Sequence, residues 1–139
     1  MAGLLSDYLA AWVLRPRRYG LADCALFAAD WVRLCRGVDP AAPWRGRYRS
    51  PRGALRLVRE AGGFVALADS ALAACGIGRT EAPRAGDVAL VRAPCDREAF
   101  GCVGAIVVSD AMLVAMPEAR GGLVYARMAQ ADVLAAWRV

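Results

Sequence analysis

The chain contains no histidine, no lysine and no asparagine among its 139 residues. Without an imidazole, no side chain has an ordinary pKa near neutrality, so the usual acid–base partner of a catalytic thiol is missing. The five cysteines form no CxxC pair, and without histidine ligands they argue against a zinc site. We therefore predict neither a metal nor a cofactor. The cysteines are Cys24, Cys35, Cys75, Cys95 and Cys102.

The chain also lacks any apolar run of the ~18 residues that a membrane span requires, so we expect no span. Residues 1–14 carry Asp7 and no early basic residue, and their apolar side chains recur at helical spacing. This pattern predicts an amphipathic helix rather than a signal peptide. With 58% hydrophobic and 22% charged residues and no linker or repeat, residues 1–139 are predicted to form one globular domain. Cys35 and Cys75 are expected to be reduced thiols, and the protein is expected to be made in a reducing cytoplasm.

Helices dominate the predicted first half of the chain. Residues 25–36 are apolar on nearly every side, which is typical of a central, buried helix, with Asp23 as its N-cap and Gly37 as its stop. Ser50 and Pro51 predict the start of another helix. A further short helix is expected over residues 65–75.

Strands dominate the second half. Four short β-branched or apolar runs are separated by turn residues, which is the pattern of an antiparallel sheet. The last residues, 132–139, are compatible with either a closing helix or an edge strand. Helices followed by strands indicate an α+β fold, with the buried helix packed on one face of a small antiparallel sheet. The four runs are residues 86–91, 103–108, 112–116 and 123–128.

Cys24 is the candidate reactive residue, because it occupies the first position of the predicted buried helix, directly after Asp23. Backbone N–H groups and the helix dipole at that position favour a thiolate, which a cysteine peptidase needs as its nucleophile. The alternative is that Cys24 is simply a buried residue. Cys35 and Cys75 have apolar neighbours and are expected to be small core residues, and Cys95 lies in a polar loop expected to be exposed.

The order of these features resembles the NlpC-type, papain-like cysteine peptidases. The residues that carry the resemblance are Asp23-Cys24, Gly86-Asp87 and Val103-Gly104, and it extends over roughly residues 21–128. In that family an Asp-Cys pair begins the nucleophile helix and a Gly-Asp turn opens the first core strand. The second strand normally begins with the catalytic histidine. The resemblance therefore implies a papain-like fold with Cys24 in the nucleophile position.

Three segments are similar to a small NlpC-like family encoded among bacteriophage tail genes. They are residues 23–32, residues 45–49 and the ending at 136–139. This likeness implies a virion protein of the tail, synthesised in the bacterial cytoplasm, with other tail-tip proteins as partners.

The chain departs from the family pattern at the catalytic partners. Cys102 stands where the histidine would be, and the expected place of the third, orienting residue, residues 113–115, is apolar. Asp23 or Asp87 is a poor substitute base, because a carboxyl pKa near ~4 is far below a thiol pKa near ~8.5. If Cys24 and Cys102 lie close together, a disulfide or a shared metal is open to them, as is a pair of buried thiols lining a degenerate pocket.

Positive charge concentrates between Arg45 and Arg59, where six arginines precede the first acidic residue, Glu60. All 18 basic residues are arginine, which with the abundant alanine and glycine we interpret as a coding bias. The segment is either a surface for phosphate, nucleic acid or an acidic protein, or a solvated face with local ion pairs. No helix-turn-helix or RNA-binding motif is present, so we expect no nucleic-acid partner.

Three functions remain open at this point. The first is a catalytically inactive structural protein of a phage-like tail tip. Its expected partner contacts, since arginine and exposed aromatic residues are favoured interface anchors, are Arg45, Arg47, Arg49, Trp44 and Tyr48. The second is a peptidoglycan-cleaving peptidase or amidase with Cys24 as nucleophile and an unusual base. The third is a peptide- or glycan-binding module that has kept the cleft without catalysis.

Overall fold

A computed structural model of the chain describes residues 2–16, 18–92, 101–116 and 122–139. The order of elements confirms an α+β architecture, with the helices first and a small antiparallel sheet after them. The helices are α1 (Ala2–Val13), α2 (Cys24–Arg36), α3 (Pro51–Glu60) and α4 (Phe64–Ala73). The strands are β1 (Val88–Arg92), β2 (Cys102–Val107), β3 (Met112–Ala115), β4 (Val124–Arg127) and β5 (Val133–Trp137), with a 3-10 turn at Met128–Gln130.

The five strands lie in the order β4-β3-β2-β1-β5, and all neighbouring strands are antiparallel. Strands β1 to β4 form a meander, whereas β5 returns across the sheet to pair with β1. The end of the chain therefore adds an edge strand, which settles the choice between helix and strand left by the sequence. The pairing of β5 is irregular between Leu90 and Val91.

Helix α2 is the central element, as predicted, and it packs on β2. Asp23 caps its start, since an Asp23 carboxylate oxygen accepts a hydrogen bond from the Leu26 N–H at 2.9 Å. Gly37 ends it in the left-handed conformation with φ 72°. The helix is not buried on every side, because Leu34 is 52% exposed.

Helix α1 covers the outer side of α2 through aromatic contacts. Trp12 meets Phe27 edge-on with ring centroids 5.4 Å apart, and Tyr8 lies 5.3 Å from Trp31 by the same measure. The Tyr8 hydroxyl donates to the Phe27 carbonyl, and burial raises the pKa of Tyr8 well above its usual value. The amphipathic helix predicted for the N-terminus is thus part of the core.

Helices α3 and α4 begin where the turn chemistry predicts. The Ser50 hydroxyl accepts a hydrogen bond from the Gly53 N–H at 3.1 Å, and Pro51 occupies the first turn of α3. Glycines at 62 and 63, both with positive φ, separate the two helices. None of the helices in the described ranges is long and apolar enough to cross a membrane.

Candidate functional site

Cys24 begins α2 and is 3% exposed, directly after the buried Asp23. The Asp23 carboxylate accepts three hydrogen bonds, from the N–H groups of Gly20 and Leu26 at 2.9 Å and from the Tyr48 hydroxyl at 2.6 Å. These hydrogen bonds occupy most of the acceptor sites of the carboxylate, which caps the helix and anchors the chain around it. Asp23 therefore fixes the backbone at Cys24 and links it to the turn at Gly20 and to the segment that contains Tyr48. With its oxygens used in this way, Asp23 is poorly placed to receive a proton from the thiol.

Strand β2 meets the start of α2 at Gly104. A Cβ atom built on Gly104 would lie 2.4 Å from the Cys24 carbonyl oxygen and 3.2 Å from its carbonyl carbon, so only glycine permits this approach. Cys102 lies two residues earlier on the same strand, and alternation along a strand places it on the same face as Gly104. The junction of α2 and β2 therefore brings Cys24 and Cys102, both buried, to one place in the fold.

The neighbouring strand offers no polar partner at the expected position. Leu113, Val114 and Ala115 are all buried and apolar, and Val114 pairs with Ile106 on the face that carries Cys102. Among the described residues, no group of three or more metal-ligating side chains comes together.

Arg92 is a residue of this site that the sequence analysis missed. It is the β1 partner of Cys102 in the sheet register, so its side chain leaves the sheet on the same face. The Arg92 Nε atom lies 2.7 Å from an Asp132 carboxylate oxygen, and both side chains are 62% exposed. The position of Arg92 beside Cys102 could not be predicted from the sequence, because it depends on the register between β1 and β2.

The space beside Cys24 is small and almost wholly apolar. One cavity of about 20 Å³ is lined by Cys24 together with aromatic and aliphatic side chains from α3, α4 and the 44–48 segment. A second cavity of about 50 Å³ lies between α2, α4 and the sheet. Ala25, Trp44 and Phe64 line both cavities. Volumes of this size are enough for one or a few water molecules.

Asp87, the other candidate base, has a structural role at the opposite end of the sheet. Its buried carboxylate accepts hydrogen bonds from the Arg84 N–H at 2.9 Å, from Arg138 Nε at 3.0 Å and from the Val139 N–H at 3.1 Å. The carbonyl of Gly86 accepts a hydrogen bond from Trp31 Nε1 at 2.8 Å. The Gly-Asp pair therefore joins the start of β1 to α2 and to the end of the chain.

Of the residues expected at a partner surface, Tyr48 is buried and Trp44 is partly buried. Tyr48 is only 6% exposed, so the prediction that it is an exposed aromatic residue is wrong. Burial, together with the Asp23 charge and hydrogen bond, raises the pKa of Tyr48 far above its usual value. Trp44 is partly buried against the core rather than freely exposed.

Arg45 is held by two acidic residues from α2 and the loop after it. Its Nε and Nη2 atoms donate to the Asp39 carboxylate at 2.6 and 3.0 Å, and Nη2 also pairs with Asp30. The hydrogen bond from Arg45 lowers the pKa of Asp39 below its ordinary value. The local run of arginines did not reveal this network, because its acids lie six and fifteen residues earlier. Arg47 and Arg49 are exposed, as a contact surface requires.

Cys35 and Cys75 lie away from the α2–β2 junction, at the end of α2 and after α4. Cys35 and Cys75 are partly buried free thiols packed against the core, and burial raises the pKa of Cys35. Cys95, expected to be exposed, lies outside the described residues.

No curated protein and no solved structure matches this chain. One family model does match it, over residues 2–139, which is nearly the whole chain and every element described above. The family is described as a domain of unknown function, and the chain belongs to it: the DUF6950 family.

Proposed function

We propose that this protein is a catalytically inactive, NlpC-like domain of papain-like fold that serves as a structural protein of a bacteriophage or phage-like tail tip. It docks there onto other tail proteins and is a component of the virion. The observation that carries the proposal is the environment of Cys24. Cys24 stands at the capped start of the central helix, and the adjoining strands carry the buried Cys102 and apolar residues where the family resemblance would place the catalytic partners.

Three candidate proton acceptors, Asp23, Asp87 and Tyr48, are poorly suited to take a proton from Cys24. Asp23 is occupied by three hydrogen bonds, and Asp87 is engaged at the other end of β1. Tyr48 lines the same cavity as Cys24, but its raised pKa keeps the phenol protonated at neutral pH. Acyl transfer needs a group that takes the thiol proton and returns it to the leaving amine, and Asp23, Asp87 and Tyr48 are each poorly suited to that role.

The tail assignment is supported by the three segments that resemble the phage-encoded family. Two of them contact each other through the framework of the domain, since Tyr48 bonds to Asp23 and Arg45 pairs with Asp30. In the third, Trp137 lines the second cavity and donates to Asp69 at 2.9 Å. The residues shared with the phage proteins are therefore ones that maintain the fold, which suits a scaffold more than a catalyst.

The test is the composition of purified tails. Particles produced by the phage or prophage that encodes this chain are separated from free protein by sedimentation, and their proteins are identified by mass spectrometry. The proposal predicts the chain in tails at a constant ratio to the tail-tube protein. Its absence from intact, infective tails would remove the structural assignment.

The alternative is a peptidase or amidase that cleaves peptidoglycan peptides during genome entry. The observation that favours it is the retained thiol at a capped helix N-terminus, the geometry a nucleophile needs. Purified wild-type protein and the Cys24→Ala variant, both checked for folding, are incubated with peptidoglycan, and released peptides are measured. Release by the wild type alone would establish the alternative, and equal absence of release supports the inactive domain.

A further inference from the structure

Helix α3 carries three arginines on one side. Arg52, Arg56 and Arg59 follow one another at intervals of four and three residues, so they share one face of the helix. The buried residues of α3, Ala54 and Val58, lie on the opposite side. All three arginines are exposed. We call this group the α3 arginine face.

Among the described residues, no ion pair neutralises the charge of this face. Five other arginines make ion pairs with aspartates: Arg15, Arg45, Arg79, Arg92 and Arg138. In the described parts of the chain, no carboxylate lies within ion-pair distance of Arg52, Arg56 or Arg59, nor of Arg47 and Arg49 just before the helix. Residues 47–60 hold five arginines and one glutamate, a net charge of +4 out of +5 for the whole chain.

We propose that the α3 arginine face is a docking surface for an acidic segment of a partner protein. A guanidinium group binds a carboxylate through two parallel hydrogen bonds, as Arg45 and Arg79 do with Asp39 and Asp69 inside this domain. The partner that fits carries carboxylates at intervals of three and four residues along a helix, matching the spacing on α3. Leu55, half-buried at the edge of the face, adds an apolar contact for such a segment.

The size of the face favours a polypeptide over a nucleic acid. Arg52 and Arg59 are seven steps apart on α3, a rise of about 10 Å, which matches two turns of a partner helix. Proteins that bind duplex DNA commonly neutralise about 6–10 phosphates along a groove, which requires positive charge over a wider surface. Outside residues 47–60 the chain has a net charge of only +1, so most of its excess positive charge is in this segment.

In the proposed tail assembly, the α3 arginine face is the surface that docks onto another tail protein. This part of the inference rests on the proposed function. The binding itself depends only on charge and spacing, and it can be measured without tails. Failure of the binding test would contradict the proposed docking surface, whereas absence of the chain from tails would contradict the proposed role in tail assembly.

The test uses the full chain and a synthetic helical peptide with glutamate at every third or fourth position, followed by fluorescence anisotropy at low and physiological salt. The variant R52Q/R56Q/R59Q removes the face. The matched control R33Q/R36Q/R127Q removes the same charge from exposed arginines elsewhere. A peptide with glutamine in place of glutamate, and a short DNA duplex, serve as comparison probes.

We expect the wild type and the control variant to bind the acidic peptide alike, the face variant to bind about tenfold more weakly, and the glutamine peptide not to bind. Added salt weakens the interaction, because the pairs are exposed. An equal loss of affinity in both variants would mean that peptide binding depends on net charge alone, and it would overturn the proposal. So would tighter binding of the duplex than of the peptide, or no binding of the peptide by the wild type.

Discussion

Asp23 illustrates how one residue can serve a site without being reactive. The sequence predicted it correctly as a helix cap, because a capping side chain bonds to a backbone group only three residues away. Its second role, accepting the Tyr48 hydroxyl, depends on a residue 25 positions later and could not be predicted locally. The error at Tyr48 and the unforeseen ion pairs of Arg45 have this common cause. A local run of arginines and aromatic residues looked like a surface until distant aspartates were placed against it.

The first prediction concerns Tyr48. Replacing it by phenylalanine removes one of three donors to the buried Asp23 carboxylate, so we expect a loss of about 1–3 kcal/mol in the free energy of unfolding. Urea unfolding at neutral pH measures it. Tyr125→Phe, at an exposed tyrosine, should cost less than about 0.5 kcal/mol. Equal stability of the two variants would show that the Tyr48–Asp23 bond does not hold the loop.

The second prediction concerns the Arg45 pair and its pH dependence. Because Arg45 lowers the folded-state pKa of Asp39 below the unfolded value of ~3.9, the stabilisation is complete above that value. It is lost as pH falls through the lower, folded pKa. We expect Arg45→Gln to cost about 1–2 kcal/mol near pH 6 and progressively less in acid.

Urea midpoints measured across that pH range provide the test. Arg47→Gln, in the same segment but exposed and without a carboxylate partner among the described residues, is the control and should change little. A deficit in Arg45→Gln that stayed constant down to the lowest pH would contradict the assigned role of the pair.

At the level of whole elements, the sequence predicted helices better than strands. The caps at Asp23, Gly37 and Ser50 are short-range chemistry, and all three were confirmed. Strand β5 could not be distinguished from a helix, because its strand partner is β1, about 45 residues earlier in the chain. The register that puts Arg92 beside Cys102 is likewise a property of the assembled sheet.

The contact between α2 and β2 leads to the third prediction. Gly104→Ala places a methyl group on the Cys24 carbonyl, and either the helix or the strand must move. We expect a loss of about 1–3 kcal/mol or more, as for other overpacked cores. Gly78→Ala is the matched control, since no atom lies within 4 Å of the added carbon there. Thermal unfolding of both variants compares them, and an unchanged midpoint for Gly104→Ala would mean that the close packing is not required.

At the scale of the whole molecule, the chain end is tied back to the sheet and to the segment before β1. Arg138 bonds to Asp87, Thr80 and the Ala82 carbonyl, so its guanidinium joins three parts of the domain. The sequence analysis interpreted this ending as part of a family resemblance and did not predict its contacts. The α+β class, in contrast, followed from composition and order alone, because helices and strands occupy separate halves of the chain.

The fourth prediction tests this tie. Asp87→Asn removes a buried charge from Arg138 and turns one acceptor into a donor, so we expect a loss of about 2–4 kcal/mol in the free energy of unfolding. Asp132→Asn, which breaks an exposed ion pair with Arg92, should cost no more than about 1 kcal/mol. Urea unfolding ranks the two variants. The reverse ranking would contradict the structural role given to Asp87.

The central proposal is that Cys24, at the capped start of α2, is not an activated nucleophile. Its most direct test is the rate at which a thiol-alkylating reagent labels Cys24 across pH, resolved by mass spectrometry of peptides with Cys24→Ala as the control. We predict labelling far slower than in the urea-unfolded chain, rising only towards the ~8.5 at which an ordinary thiol ionises. Rapid labelling that is already complete and independent of pH below 7 would show an activated thiolate, and it would contradict the assignment of an inactive domain.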